Sequence, residues 1–167
     1  MSKRELKEYI HQLTKAQLQE QITDLYTRFK DVKEFYDFAF NPKENKLMEE
    51  CKFKISKEYF PVNGRKPKMR RSVAQNYIRH FKRLGVESAL IADVMLYHIE
   101  IAQTFCAERY VKQEAFYKSM FKSFTEALTF VEEHGLKKDF ITRMEQIAEK
   151  ASDQNWMNAR AFEKTLH

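Results

Sequence analysis

The chain has 167 residues and a formal net charge of +6, and 43% of its residues are hydrophobic and 14% aromatic. This length fits one domain of ordinary size, and the hydrophobic content excludes a disordered chain. Only three glycines and three prolines occur, so few tight turns between strands could form. The composition therefore predicts an all-α protein with a single helical domain over residues 1–167.

The N-terminal segment contains three residue pairs with the spacing of a capping box. In this motif a side chain at the helix start accepts a backbone N–H, and an acid or amide three residues later bonds back. The pairs are Ser2 with Glu5, Thr14 with Gln17, and Asp31 with Glu34. They predict three helices, and Pro42 ends the third because the residue before a proline avoids the α region.

Apolar residues at helical spacing predict six further helices. These cover 43–59, 72–84, 88–105, 112–134, 137–151 and 153–166. Residues 60–71 form the clearest predicted loop, since they contain two prolines and the turn dipeptide Asn63-Gly64. Eight or nine helices with short connections predict antiparallel hairpins, arranged as a helical bundle or as a short α-solenoid-like superhelix.

The two cysteines, Cys51 and Cys106, lie inside apolar helical patterns. This placement predicts two buried, free thiols in a reducing compartment. No apolar run approaches the roughly 20 residues of a membrane span, and the charged N-terminus does not resemble a signal peptide. We therefore expect a cytoplasmic protein without a membrane partner.

Positive charge is concentrated between residues 65 and 83, a stretch that we call the basic segment. It contains eight basic residues and no acid in 19 positions, so the other 148 residues carry a net charge of −2. The eight are Arg65, Lys66, Lys68, Arg70, Arg71, Arg79, Lys82 and Arg83. The basic segment is the main candidate for a binding site.

The basic segment divides into two predicted parts. A capping box of Ser72 with Gln75 would begin a helix there. Arg70 and Arg71 would then stand at its N-terminus, where free amides and the helix dipole favour phosphate, sulfate or carboxylate.

Within that helix, the apolar face predicted from Val73, Tyr77, Phe81 and Leu84 lies opposite the remaining cations. Arg79, Lys82 and Arg83 would form a basic ridge that suits an extended polyanion. The alternative interpretation is a solvated loop and helix face. Tyr59 and Phe60 could stack on bases, but the commoner role of such residues is core packing.

A second candidate site lies on the predicted helix 88–105, which is apolar almost all round. Asp93, Tyr97, His98 and Glu100 could line a cleft there. The two acids are separated by two turns, roughly 10 Å by the rise per residue, which is long for a cooperating carboxylate pair. We prefer an ion pair with Arg or Lys from a neighbouring helix, and a satisfied core role for His98.

No signature of a common enzyme class is present. The chain lacks a P-loop, a dinucleotide-binding glycine motif, a nucleophile elbow and a zinc-protease motif. Glu8 and His11 form one Glu-x-x-His pair, whereas a di-iron bundle needs two such pairs and further glutamates. We expect no catalytic residues, no metal and no cofactor, and the lack of motifs argues against an enzyme without excluding one.

Three stretches resemble an uncharacterised bacterial family of small all-helical proteins, a domain of unknown function. They are residues 28–38 (RFKDVKEFYDF), residues 60–75 with FPVNGRKPK and RSVAQ, and residues 91–103 (IADVMLYHIEIAQ). The resemblance extends over nearly the whole chain. It implies one complete bacterial helical domain and brings no activity, ligand or site residue.

These observations favour a non-enzymatic interaction module that binds an anionic partner through the basic segment. The partner could be nucleic acid, an acidic protein surface or a phosphorylated ligand. One alternative is an enzyme or small-ligand protein with a cleft beside Asp93 and His98. Another is a structural or oligomeric scaffold with exposed aromatics such as Tyr117 and Phe121. The sequence does not indicate the oligomeric state.

Overall fold

The computed structural model describes residues 1–166, and this part of the chain forms nine α-helices and no β-strand. The predicted all-α class is confirmed. The helices are α1 Lys3–His11, α2 Lys15–Arg28, α3 Lys30–Phe40, α4 Glu44–Tyr59, α5 Arg71–Leu84, α6 Ser88–Glu108, α7 Glu114–Glu133, α8 Lys137–Asp153 and α9 Ala159–Leu166. The helices divide into two compact units, one of residues Met1–Lys43 and one that begins at Glu44. The single domain over 1–167 stays a prediction.

The N-terminal unit consists of α1, α2 and α3, and none of their side chains is buried. Helices α2 and α3 contact each other, and the Tyr26 hydroxyl donates to Asp37 at 2.7 Å. Several large apolar side chains remain exposed, including Phe29, Phe35 and Phe40, and Phe40 is 85% exposed. The N-terminal unit therefore has no core of its own.

The C-terminal unit has its core around α6, which contacts α4, α5, α7 and α8. Gln103 of α6 donates to the Ile147 carbonyl of α8. Arg143, one turn before Ile147, binds Glu100 and Asp93, which precede Gln103 on α6. Because the contacts advance in the same direction along both helices, α6 and α8 run parallel. Contacts join α4 with α5, α6 with α7 and α8 with α9, so each of these consecutive pairs packs as a hairpin. The choice between a helical bundle and a short α-solenoid-like superhelix stays a prediction.

Helix α6 is apolar enough to meet the length and hydropathy of a membrane span. It has 21 residues, and 56% of its most apolar window is buried inside the protein. Ten of its side chains are buried, among them Leu96, Ile99 and Phe105. Helix α6 is therefore the central helix of the packed core of the C-terminal unit.

Two of the predicted capping boxes are confirmed, at Ser2 with Glu5 and at Thr14 with Gln17. The predicted box of Asp31 with Glu34 is wrong, since α3 begins at Lys30, two residues earlier than that box requires, with Phe29 as an N-cap that makes no side-chain bond. The end of α3 before Pro42 is confirmed. Gly85 and Gly135 take left-handed conformations after α5 and α7, with φ of 76° and 69°.

The C-terminal end differs from the prediction because α9 begins at Ala159 rather than near Asp153. Trp156 lies in the turn before α9 and is buried against Phe162 and Tyr117. Tyr117, predicted as an exposed contact, is buried and donates to the Val111 carbonyl at 2.8 Å. Phe121 packs edge-on against Phe162. The two aromatics thus belong to internal packing rather than to an exposed patch.

Both cysteines are free, as predicted. Cys51 has no exposed surface, and burial raises the pKa of its thiol to about 12. Cys106 is half-buried, and burial raises the pKa of its thiol to about 11.

Candidate anion-binding site

The loop between α4 and α5 encloses a cavity of about 200 Å³, which we call the loop pocket. Four cations line it, none of which forms an ion pair with an acid in residues 1–166, namely Lys57 from α4 and Arg65, Lys66 and Lys68 from the loop. Pro61, Val62, Glu58 and Arg70 complete its lining. Four of the predicted site residues, Arg65, Lys66, Lys68 and Arg70, therefore lie together here.

Glu58 fixes the shape of the loop pocket from the last turn of α4. Its backbone carbonyl accepts the N–H groups of Lys68 and Met69 at 2.9 and 3.0 Å. Met69, like Asn63, takes a left-handed conformation, with φ of 51°, which most residues avoid. These bonds turn the chain back so that the cations of the loop face the end of α4.

The Glu58 carboxylate is neutralised by Arg70. The Arg70 guanidinium donates through Nε and Nη2, each at 2.8 Å, to the two carboxylate oxygens. These bonds lower the pKa of Glu58, and bidentate pairs of this kind are strong and directional. Because the one acid of the loop pocket is paired with Arg70, its four other cations leave it with a net charge of about +4.

The start of α5 differs from the prediction. The helix begins at Arg71 with Arg70 as its N-cap, so Ser72 lies inside the first turn and makes no cap bond, and the predicted capping box is wrong. Gln75 donates instead to Glu126 of α7.

Arg71 turns away from this helix start. It donates to Ser123 Oγ at 2.8 Å and to the Glu126 carboxylate. Since Arg70 and Arg71 both bind acids of their own chain, we do not propose an anion site at the start of α5.

The second half of α5 exposes Arg79, Lys82 and Arg83, as predicted. The buried face of α5 is made of Ala74, Ile78, Phe81 and Leu84. Val73 and Tyr77, which were predicted to share that face, are only half-buried. The Lys82 ammonium lies 4.5 Å from the centre of the Phe130 ring, and Arg79 donates to Asn76 at 2.5 Å. Arg79 and Lys82 line a gap between α5 and α7 and are separate from the loop pocket.

The alternative site on α6 is occupied by ion pairs. Arg143 of α8 binds Asp93 at 2.7 Å and both oxygens of Glu100 at 2.6 and 2.7 Å, and Lys52 of α4 binds Asp93 at 2.6 Å. Burial alone would raise the pKa of Asp93, but the bonds from Lys52 and Arg143 outweigh it and lower that pKa. The predicted ion pair between these acids and a neighbouring helix is confirmed.

His98 is 1% exposed and lies beside Tyr59, whose ring centre is 6.2 Å from its own. Its core location was predicted, but its ring is not satisfied, because neither nitrogen has a hydrogen-bond partner within residues 1–166. Burial and the nearby Arg71 charge lower the pKa of His98 to about 4. A neutral, buried ring in tight packing does not form a cleft with Asp93.

Tyr59 and Phe60 pack against α6, which is the commoner role of such aromatic residues. Tyr59 is buried, and Phe105 of α6 contacts both rings at centroid distances of 5.9 and 5.8 Å. Sequence reasoning missed Lys57, which adds a cation to the loop pocket from α4. Its position three residues before the loop was the available signal.

Comparison with known proteins places this chain within a family but brings no activity. No curated protein and no solved structure matches it. One family model matches residues 1–167, and its description is a family of unknown function. The chain belongs to that family, DUF6155.

Proposed function

We propose that this protein is a helical interaction module that binds an anionic partner through the loop pocket. The observation that carries the proposal is the convergence of Lys57, Arg65, Lys66 and Lys68 on one cavity whose one acid, Glu58, is already paired. A compact cluster of this kind attracts anions and raises their local concentration. The proposed site therefore consists of Lys57 and the loop residues of the basic segment, and it leaves out the residues of α5.

The size of the loop pocket favours a group carried by a larger partner. Small-molecule pockets usually span about 300–1,000 Å³, whereas this one has about 200 Å³. That space suits a phosphate group on a nucleic-acid backbone or on a phosphorylated ligand. An acidic protein surface is the remaining candidate, and a panel of anions separates these partners.

The test measures binding of labelled single-stranded RNA, single-stranded DNA and polyglutamate by fluorescence anisotropy at several salt concentrations. We expect a phosphate-bearing strand to bind best, with affinity that falls steeply as salt rises because bound counterions are released. The triple variant R65S/K66S/K68S should lose most of this affinity, and its slope against log salt should fall by about two to three.

A matched variant, K54S/K122S/K138S, removes the same charge from exposed positions outside the loop pocket. It should bind nearly as the wild type does, and both variants should keep the helical circular dichroism signal. Equal binding by the two triple variants would contradict the proposal.

We further propose a cytoplasmic location in bacteria. The two free thiols support it, since such thiols persist in reducing compartments. Fractionation of bacterial cells that express the tagged chain tests it, and recovery in the periplasm would contradict it.

A second candidate function is an oligomeric contact through α1–α3. The observation that favours it is the set of exposed aromatic and aliphatic side chains on these helices, where no residue is buried. Multi-angle light scattering tests it, and a monomer at high concentration would contradict it.

A further inference from the structure

A second cavity, of about 350 Å³, lies between α5 and α7, and we call it the α5–α7 groove. Both helices contact α6, and Met95 of α6 lies beneath the gap between them. Ile78 and Phe130 add apolar surface, and the three side chains are buried. The α5–α7 groove thus has an apolar floor on the central helix.

The two helices run parallel along the α5–α7 groove. Arg71 near the start of α5 contacts Ser123 of α7, and Lys82 near the end of α5 contacts Phe130 of α7. Arg71 and Gln75 both donate to Glu126, so that acid is occupied and closes one end. The open part lies toward the later turns of both helices.

The walls of this open part carry opposite charges. Arg79 and Lys82 line it from α5, and Glu133 lines it from α7. The contacts of the two cations are with neutral groups, an asparagine amide and an aromatic ring, so a carboxylate would gain charge-assisted bonds from both. Thr125 and Thr129 supply hydroxyls on the same wall as Glu133.

We propose that the α5–α7 groove binds a small zwitterion with an apolar side chain, the chemistry of an apolar α-amino acid. The ligand carboxylate binds Arg79 and Lys82, its ammonium binds Glu133, and its side chain packs on Met95 and Ile78. The cavity volume lies near the lower end of the range for small-molecule sites, about 300–1,000 Å³. An extended polyanion fits less well, because Glu133 would repel it. This inference is independent of the loop pocket.

The experiment uses the full chain labelled with ¹³C at its methionine methyl groups. Met95 reports from the floor of the α5–α7 groove, while Met120 and Met144 have no exposed surface and serve as internal references. The probes are L-leucine, 4-methylpentanoate, which lacks the ammonium, and 3-methylbutylamine, which lacks the carboxylate. We expect leucine to shift the Met95 signal saturably and each half-ligand to bind about ten-fold more weakly.

Variants assign the two ends of the ligand. R79S/K82S should abolish the leucine response, and E133Q should weaken leucine about ten-fold while it leaves 4-methylpentanoate unchanged. The charge-matched K122S/K138S and the loop variant R65S/K66S/K68S should bind leucine as the wild type does, so failure of the loop pocket and failure of this site are separate results. All variants are exposed-site changes, and an unchanged helical signal verifies their folding.

Two results would overturn the proposal. One is the absence of a saturable Met95 shift with leucine, valine, methionine and phenylalanine. The other is binding of 4-methylpentanoate as tight as that of leucine, which would remove any role for Glu133.

Discussion

The helices of the N-terminal unit and those of the C-terminal unit are stabilised by different means. Helices α1 and α2 have capping boxes at Ser2 and Thr14, and exposed ion pairs one turn apart support α1, α2 and α3. No side chain of these helices is buried. Helices α5, α6, α7 and α8 lack a side-chain cap bond but bury up to ten residues each.

The difference separates local from tertiary stabilisation. Capping bonds and neighbouring ion pairs contribute about 0.3–1 kcal/mol each, and isolated helices shorter than about 12–15 residues are marginal in water. A buried large side chain contributes about 1.5–3 kcal/mol. We therefore expect the C-terminal unit to carry most of the stability.

The sharpest test of this comparison is a phenylalanine removed from each unit. Phe124 is fully buried against Phe162, with ring centres 4.9 Å apart, whereas Phe40 is mostly exposed. Phe124→Ala should lower the free energy of unfolding by about 3–5 kcal/mol, and Phe40→Ala by less than about 0.5 kcal/mol. Urea titrations followed by circular dichroism and by the fluorescence of Trp156 measure both. Similar losses in the two variants would break the comparison.

The next effect is a pH dependence that arises in the C-terminal unit at His98. The folded pKa is about 4 and the ordinary value is 6.5, so between these values the unfolded chain binds a proton that the folded chain does not. The contribution of His98 to stability should fall as pH drops from 6.5 to 4, by roughly 3 kcal/mol in total, and this contribution should level off below 4. His98→Leu should remove this fall, whereas Phe124→Ala should lower stability and keep it. An unchanged pH profile in His98→Leu would contradict the assignment.

A smaller difference is expected between two arginine ion pairs. Arg143→Met would leave Asp93 and Glu100 half-buried, with Lys52 as the remaining cation beside Asp93, and should cost about 2 kcal/mol after allowance for solvent screening. Arg28→Met removes an exposed pair with Asp24 in α2 and should cost less than about 0.5 kcal/mol. Thermal unfolding measures both changes, and equal melting temperatures would show that the α6–α8 ion pairs add nothing.

The smallest effect tests the caps themselves. Thr14→Ala removes a cap from α2 and should destabilise that helix by about 1 kcal/mol. Ser72→Ala changes a residue that makes no cap bond in α5 and should be nearly neutral. Hydrogen exchange of the α2 and α5 amides measures each locally. Faster hydrogen exchange of the α5 amides in Ser72→Ala would show that the predicted capping box forms after all.

The same division explains what the sequence could predict. Apolar spacing and capping pairs depend on neighbours three and four residues apart, and together these local patterns predicted all nine helices. The capping boxes at Ser2 and Thr14 formed, whereas those at Asp31 and Ser72 did not. The box at Ser72 was wrong because the start of α5 is set by Glu58 and Glu126. These acids lie 12 and 55 residues from Arg70 and Arg71, a separation that no local pattern records.

The candidate sites follow the same rule. The cations of the loop pocket are close in sequence, so most of them were identified as a group. The α5–α7 groove combines side chains from three helices. Glu133, Met95 and Phe130 lie outside the basic segment, so the charge pattern of that segment did not predict them. The ion pairs of Asp93 and Glu100 were predicted as a type, but their partner Arg143 was not identifiable from sequence alone.

The burial of Cys51 also allows the opening rate of the core to be measured through a thiol that the chain already contains. A thiol with no exposed surface and a raised pKa reacts with a disulfide reagent only after the surrounding helices separate. In a Cys106→Ser variant Cys51 is the remaining thiol. At high reagent concentration, its labelling rate then equals the rate at which the helices around α6 open.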